Sequence, residues 1–308
     1  MPMLLSIVSP VYNAELVLEE LVRRIIASIP SDFTDYEIIL VEDYSKDQSW
    51  KKIEEIAALN PKVKGYKLSR NFGQHCAITA GLNQVKGDYT VVMDCDLQDQ
   101  PEEIHKLYAE AQKGYAKVFA QRFERQDTFF KVIFSTLFYR LLSYLTGVEH
   151  DPKVANFGIY NKAVIDAVVG LPEKIKYFPT MVKWVGYSSS YIAVDHAARS
   201  EGKSNYNLRK LLNLALDIIL AYSDKPLRMI VKFGFVVASM SFVFALYAII
   251  AKISNAYTVP GYASLITSVW FLSGCVISTL GVVGLYIGKI FEGVKNRPSY
   301  IIEKQTHD

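Results

Sequence analysis

Three cysteines in 308 residues, at Cys76, Cys95 and Cys275, are too few and too scattered for a disulfide framework or a metal-ligand spacing. They read as reduced thiols in a reducing compartment. The first ten residues lack a basic segment and carry only a short apolar run, so no signal peptide is expected. A charge excess of one sign is also missing. The chain carries 34 Lys+Arg against 31 Asp+Glu, and the small surplus lies at its end, with 27 against 28 up to Pro226 and 7 against 3 beyond it. A near-neutral N-terminal part gives no reason to invoke nucleic acid. No Gly-x-Gly-x-x-Gly follows the first apolar strand and no Walker lysine is present, which argues against dinucleotide and P-loop folds. Internal repeats and low-complexity stretches are absent as well.

What the C-terminal third lacks is charge altogether. None occurs from Phe233 to Ala251, and after Lys252 none appears until Lys289, with Pro260-Gly261 punctuating the second interval. A bilayer core takes roughly 20 residues of helix. Two transmembrane helices are therefore expected, at about 229–252 and 263–288 within 227–289. Arg228 and Lys232 precede the first; Lys289, Lys295 and Arg297 follow the second. The positive-inside rule then puts both termini, the N-terminal domain and a tail over 290–308 in the cytoplasm, as a multi-pass protein of the plasma (inner) membrane.

Before that region, apolar strands alternate with helical patterns. Strands are expected at Leu4–Val8, Tyr36–Val41, Val63–Leu68 and Tyr89–Met93, and helices at Glu15–Ile29, Trp50–Leu59 and Gln74–Gln84. This alternation implies βαβ units and a mainly parallel sheet, whose ligands bind beyond the carboxyl ends of the strands. Each of the four strands runs into a polar cluster there: Tyr12-Asn13, Glu42-Asp43, Ser69-Arg70-Asn71, and Asp94 to Asp99.

The last cluster is the most specific. Val91-Val92-Met93 stops in Asp94-Cys95-Asp96-Leu97-Gln98-Asp99-Gln100-Pro101, a strand breaking into a carboxylate turn closed by proline. Hard divalent cations take oxygen ligands, and Mg²⁺ commonly uses one or two carboxylates plus substrate phosphates. A strand end that breaks into a turn can converge Asp94 and Asp96 on one such ion, the arrangement needed to hold a nucleotide diphosphate. Further along, Arg122, Arg125, Lys131 and Arg140 interleave with Phe129, Phe130, Phe134 and Phe138. A basic, aromatic amphipathic segment at about 129–146 reads as a membrane-surface helix, and 207–222 as a second.

These motifs, Ser6-Ile7-Val8-Ser9-Pro10-Val11-Tyr12-Asn13, Val41-Glu42-Asp43-Tyr44-Ser45-Lys46-Asp47, Leu68-Ser69-Arg70-Asn71-Phe72-Gly73 and Asp94-Cys95-Asp96-Leu97-Gln98-Asp99, resemble in order those of family 2 glycosyltransferases with the GT-A fold. The resemblance is nearest to polyprenyl-phosphate glycosyltransferases, the dolichyl-phosphate mannose synthase and bactoprenol glucosyltransferase type, and covers essentially the whole chain. It implies an α/β, Rossmann-like GT-A catalytic domain over 1–226, carrying the interfacial helices and followed by the two spans. It implies that Pro10, Tyr12, Asn13, Glu42, Asp43, Arg70 and Asp94 surround the nucleotide sugar. By the same resemblance Asp94, Asp96 and Gln98 hold Mg²⁺ or Mn²⁺ with the diphosphate, Asp96, Gln98, Asp99 and Arg199 take the catalytic positions, and Arg122, Arg125, Lys131, Arg140, Lys203 and Ser204 meet the acceptor phosphate. The His196-x-x-Arg199-x-x-Gly202-Lys203-Ser204 segment resembles the family's mobile loop.

The implied reaction moves a hexose from a nucleotide diphosphate sugar such as UDP-glucose to undecaprenyl phosphate at the cytoplasmic membrane face, for cell-surface glycan modification. Two positions depart from the family pattern: Asn156 stands where relatives often carry an acid, and Glu42 where they carry Asp. A phosphate acceptor has a second pKa near 6 and is already ionised at neutral pH, so a strong base is less needed. The alternative is extension of a lipid-linked or surface polysaccharide on a sugar hydroxyl, with Asp99 or Asp151 as base; a degenerate, non-catalytic binding protein is a further one. A homo-oligomer stays open.

Overall fold

Apolar runs too short for helices and amphipathic stretches too long for strands alternate along the first hundred residues, and they fold accordingly. In the computed structural model, which describes residues 3–122, 143–145, 154–174, 176–195, 219, 223–253 and 261–307, Leu4–Val11 (β1), Asp35–Glu42 (β2), Val63–Leu68 (β3) and Tyr89–Val92 (β4) form parallel ladders. Ile7 lies opposite Ile38 on one side and Val91 on the other. Leu18–Ala27 (α1), Ser49–Leu59 (α2) and Gln74–Leu82 (α3) make the crossovers. In α1 the buried residues are Leu18, Leu21, Val22 and Ile25, one helical stripe, and Glu19 and Glu20 in the first turn complement the helix dipole. Residues Ile38 to Val41 are buried on both faces, as strands covered by helices on each side must be.

Beyond β4 the sheet changes sense. A 3₁₀ turn at Pro101–Glu103 and Ile104–Ala111 (α4) lead to Lys117–Arg122 (β5), and Val154–Asn161 (β6) runs antiparallel to both β4 and β5. Lys162–Val169 (α5) is capped by Asn161, whose side chain accepts from Val164 N at 3.0 Å. Phe178–Trp184 (α6) precedes Ser189–Val194 (β7), which pairs parallel to β5. Lys117 is buried, and its Nζ donates to the carbonyls of Val182 (2.9 Å) and Gly186 at the end of α6; burial pushes its pKa down to about 8. At the other edge Ile302–Gln305 (β8) pairs antiparallel with β3, giving the order β7-β5-β6-β4-β1-β2-β3-β8. The α/β, mainly parallel expectation holds, with the parallel block β4-β1-β2-β3 at its centre.

Two local differences have physical reasons. The residues Ser9 to Val11, beyond the strand expected at Leu4–Val8, extend β1 along β2. Pro10 is tolerated because the β1–β4 ladder ends at Val8, before the missing N–H would be needed on that side. The tail expected over 290–308 contributes β8.

A second compact unit comprises Tyr144–Gly147 and Leu211–Arg297, while Pro298–Asp308 belongs with the sheet. It contains the long helices Lys225–Ile253 (α7) and Tyr262–Val294 (α8), and Tyr286 Oη donates to Ser223 O at 2.8 Å. Apolar side chains stand exposed along both, including Phe235 and Phe242 on α7 and Trp270 and Ile277 on α8. Among the described residues one stretch, Ser268–Val294, is long and apolar enough to cross a membrane, against the two expected. The interfacial helices expected at 129–146 and 207–222 lie outside the described residues, apart from 143–145 and 219.

Close packing of α3 on β1 and β2 is set by Gly81. A Cβ there would lie 2.5 Å from Val8 Cγ1 and 3.1 Å from Val41 Cγ2, both residues fully buried. Gly81→Ala should therefore cost about 1–3 kcal/mol through overpacking, although alanine is the better helix former. A lowered urea midpoint with unchanged slope is the expected result.

Candidate functional site

Strands β1, β2 and β4 are neighbours, and the chain passes from β1 to β2 on one side and reaches β4 on the other. This is a topological switch point, where open α/β sheets bind ligands. Just past each of the three carboxyl ends stands a non-glycine residue in the left-handed region: Asn13 (φ 50°), Tyr44 (φ 59°) and Leu97 (φ 58°). Such conformations are disfavoured for residues with a Cβ and persist where surrounding bonds enforce them, commonly at functional sites.

Those bonds are present. Asn13 N donates to Ser45 Oγ at 2.9 Å, and Lys46 N donates back to Asn13 Oδ1 at 3.0 Å. Glu42, buried, accepts from Ser45 N through Oε1, while its Oε2 is buried with no hydrogen-bond partner. The loops after β1 and β2 thus form one stitched unit.

Asp43 ties in the third loop. Its carboxylate accepts from Phe72 N (2.7 Å) and Gly73 N (2.9 Å), and Asn71 Nδ2 donates to its carbonyl at 3.0 Å. Gly73 supplies the positive φ of 93° from which α3 begins. Burial raises the Asp43 pKa to about 6 in spite of those two N–H donors, with Glu42 adding repulsion. The first residue of α3, Gln74, then donates from Nε2 to Asp94 Oδ1 at 2.7 Å, crossing to the end of β4. Its neighbour His75 packs edge-on against Tyr177 at 4.6 Å between centroids. Its Nδ1 is buried with no hydrogen-bond partner, and burial presses its pKa down to about 4.

In the carboxylate turn, Asp94 and Asp96 are half-buried, and Asp96 Oδ1 accepts from Gln98 N at 3.2 Å. Between them the Cys95 thiol packs on the core, its pKa pushed up to about 12 by burial although the Tyr12 main chain hydrogen-bonds to it. Asp99 is 1 % exposed. Two carboxylates and an amide are oxygen donors of the kind a hard divalent ion takes when substrate phosphates complete its shell. No cluster of three or more His, Cys, Asp or Glu side chains suited to a metal ion forms among the described residues. Asn156 lies within β6, two residues before Gly158, which faces Val92, and so at the same end of the sheet as Asp94.

Of the other expected residues, Pro10 sits in β1, Tyr12 is 41 % exposed, and Arg70 is exposed with its guanidinium 4.2 Å from the Phe72 ring centroid. Arg122 ends β5 opposite Val194. Arg125, Lys131, Arg140, Asp151, Arg199, Lys203 and Ser204 lie outside the described residues. The hydrogen bonds thus link Asn13, Glu42, Asp43 and Asp94 at one end of the sheet, and of the residues expected around the acceptor Arg122 alone is among the described ones. Gln74, His75 and Tyr44 were missed as site residues; the glycine-preceded polar start of α3 was the available signal for the first two.

Comparison with known proteins fits this geometry. The family model described as glycosyl transferase family 2 matches residues 6–169. An uncharacterised glycosyltransferase of Synechocystis is 36% identical over 299 residues, spanning 97% of this chain and 94% of that protein. The uncharacterised glycosyltransferase YkcC of Bacillus subtilis is 37% identical over 97% of this chain and 93% of its own. The undecaprenyl-phosphate 4-deoxy-4-formamido-L-arabinose transferase of Edwardsiella ictaluri is 36% identical over the same shares, 97% and 93%.

Asp43 and His75 give the folded state opposing pH dependences. Asp43 binds its proton more tightly when folded (about 6 against 3.8), so its contribution to stability falls as pH rises through that interval. His75 binds its proton more weakly when folded (about 4 against 6.5), so its contribution falls as pH drops through nearly the same interval. His75→Gln should leave a stability that declines from pH 4 to 6, and Asp43→Asn one that rises from pH 4 to 6.5, relative to a flatter wild type. Urea midpoints across the interval check both signs.

Proposed function

This chain belongs to glycosyl transferase family 2, and from that premise we propose that it transfers a hexose from a nucleotide diphosphate sugar, of the UDP-glucose kind, to undecaprenyl phosphate at the cytoplasmic face of a membrane. The observation that carries the reading is the bridged set of strand ends, in which Gln74 fastens the Asp94 carboxylate to the loop that Asp43 holds. The name of the Edwardsiella relative supports the polyprenyl phosphate as acceptor.

In this reading an ionised oxygen of the lipid phosphate attacks the anomeric carbon, and the bond from that carbon to the nucleoside diphosphate breaks. Asp94 and Asp96, with Gln98, would hold Mg²⁺ or Mn²⁺, which supplies neutralisation of the departing diphosphate when bound. Gln74 keeps Asp94 in one orientation, and Arg70 brings a cation to the same rim. Arg199 and Lys203 are proposed to grip phosphate, an arginine fork matching its geometry. An ionised acceptor needs little help from a base, which accords with an amide, Asn156, at the end of the sheet where Asp94 lies.

The anchoring proposal is two crossings, by α7 and α8, with both ends of the chain cytoplasmic. The return of β8 to the edge of β3 supports it. A chain that leaves a sheet and rejoins it crosses any intervening bilayer an even number of times, so a crossing by α8 calls for a second, and α7 is the long apolar helix proposed to make it. The Lys and Arg residues flanking the pair argue for the cytoplasmic side.

Incubating the detergent-solubilised protein with a panel of nucleotide sugars, with and without undecaprenyl phosphate and divalent metal, tests the reaction. Transfer that appears only with the lipid phosphate is the expected result; products made on a glycan instead would select the hydroxyl-acceptor alternative. Asp96→Ala should reduce transfer to below about a tenth of wild type while melting and membrane insertion stay unchanged. Cysteine labelling from one face should reach both ends of the chain on the cytoplasmic side, and a periplasmic C-terminus would refute the paired crossing.

A further inference from the structure

Tyr44 stands out among the left-handed residues at the strand ends because it is both bulky and exposed. Its φ of 59° is one that glycine, or asparagine, adopts at little cost and an aromatic residue does not. The turn around it is locked by bonds that make no use of its side chain. Ser45 N donates to Glu42, Asn13 N to Ser45 Oγ, Lys46 N to Asn13 Oδ1, and Asn71 Nδ2 to Asp43 O. The same turn would form at least as well around a smaller residue. The ring is 51 % exposed, so core packing does not account for it either. It lies next to Asp43, beyond the end of β2, and the Lys67 ammonium sits 5.8 Å from its centroid.

A large π-face, held on an over-determined backbone at a strand end, suits one class of ligand group: a flat aromatic heterocycle. We propose that the Tyr44 ring is the stacking surface for the nucleobase of the donor. The proposal rests on the nucleotide-sugar reading above and adds to it the residue that receives the base. Stacking tolerates any base, so Tyr44 supplies affinity for a nucleoside as such and leaves the choice among bases to hydrogen bonds elsewhere.

Calorimetric titration of the full chain in detergent, with Mg²⁺, tests this with UDP, GDP and inorganic pyrophosphate as probes. Tyr44→Asn keeps a residue at ease in the left-handed region and removes the ring. It should weaken binding of whichever nucleoside diphosphate the wild type prefers by at least about fivefold. Pyrophosphate, which has no base, should bind both proteins alike, the melting temperature should not fall, and Tyr44→Phe should bind like wild type. Unchanged nucleotide affinity in Tyr44→Asn, an equal loss for pyrophosphate, or a lowered melting temperature would each overturn the assignment while leaving the donor reading standing. A wild type that binds neither nucleotide would overturn both.

Discussion

Two main-chain N–H groups, those of Phe72 and Gly73, end on the single carboxylate of Asp43, and the geometry of the site descends from that pair of bonds. The β2 backbone that carries Asp43 is fixed by parallel ladders on both sides, so the loop before α3 inherits its position from the centre of the sheet. Gln74 follows as the first helical residue and reaches Asp94. The ends of β2 and β4, which are not neighbours, are thereby connected over the end of β1. Burial works against the charge that makes Asp43 a good acceptor, and the two N–H donors offset part of that cost.

The three left-handed residues show how the frame stores strain. Each is placed where the ladder has ended and no regular pairing dictates the backbone; side chains of the adjoining loop hold the turns at Asn13 and Tyr44, and Asp96 of its own turn holds the backbone next to Leu97. Regular sheet and irregular loops divide the labour. The buried apolar faces of β1, β2 and β4 hold the frame, and the loops beyond it adopt the costly conformations that such a frame can enforce.

The sheet's parallel half was legible because its signals are local. Runs such as Ile38 to Val41 are apolar on both faces, and α1 repeats its buried residues at helical spacing, so composition alone separates strand from helix. The end of β1, expected at Val8, lies three residues further on because Pro10 is tolerated where the neighbouring ladder has stopped, and nothing local in the sequence shows that. β8 was invisible for the opposite reason: Ile302-Glu303-Lys304-Gln305 is polar, as suits an edge strand, and its strand character comes from β3, a partner remote in sequence. The carboxylate turn announced itself, whereas Gln74 did not, since a glutamine has no distinctive chemistry until the fold brings Asp94 beside it. The expectation of two spans drew on the absence of charge, a signal that length and hydropathy reproduce for one helix among the described residues.

The pairing of β8 with β3 also bears on the order in which the molecule is completed. Residues 302–305 leave the ribosome after both α7 and α8, so for most of synthesis β3 is an open edge with unpaired main-chain groups. An open edge is a template for wrong partners, including a second nascent chain. The charged side chains of Lys64 and Lys67 on that strand are of the kind that discourages such pairing in the interval. The strands that open the chain therefore wait for its last strand, which is made only after the two long helices that precede it.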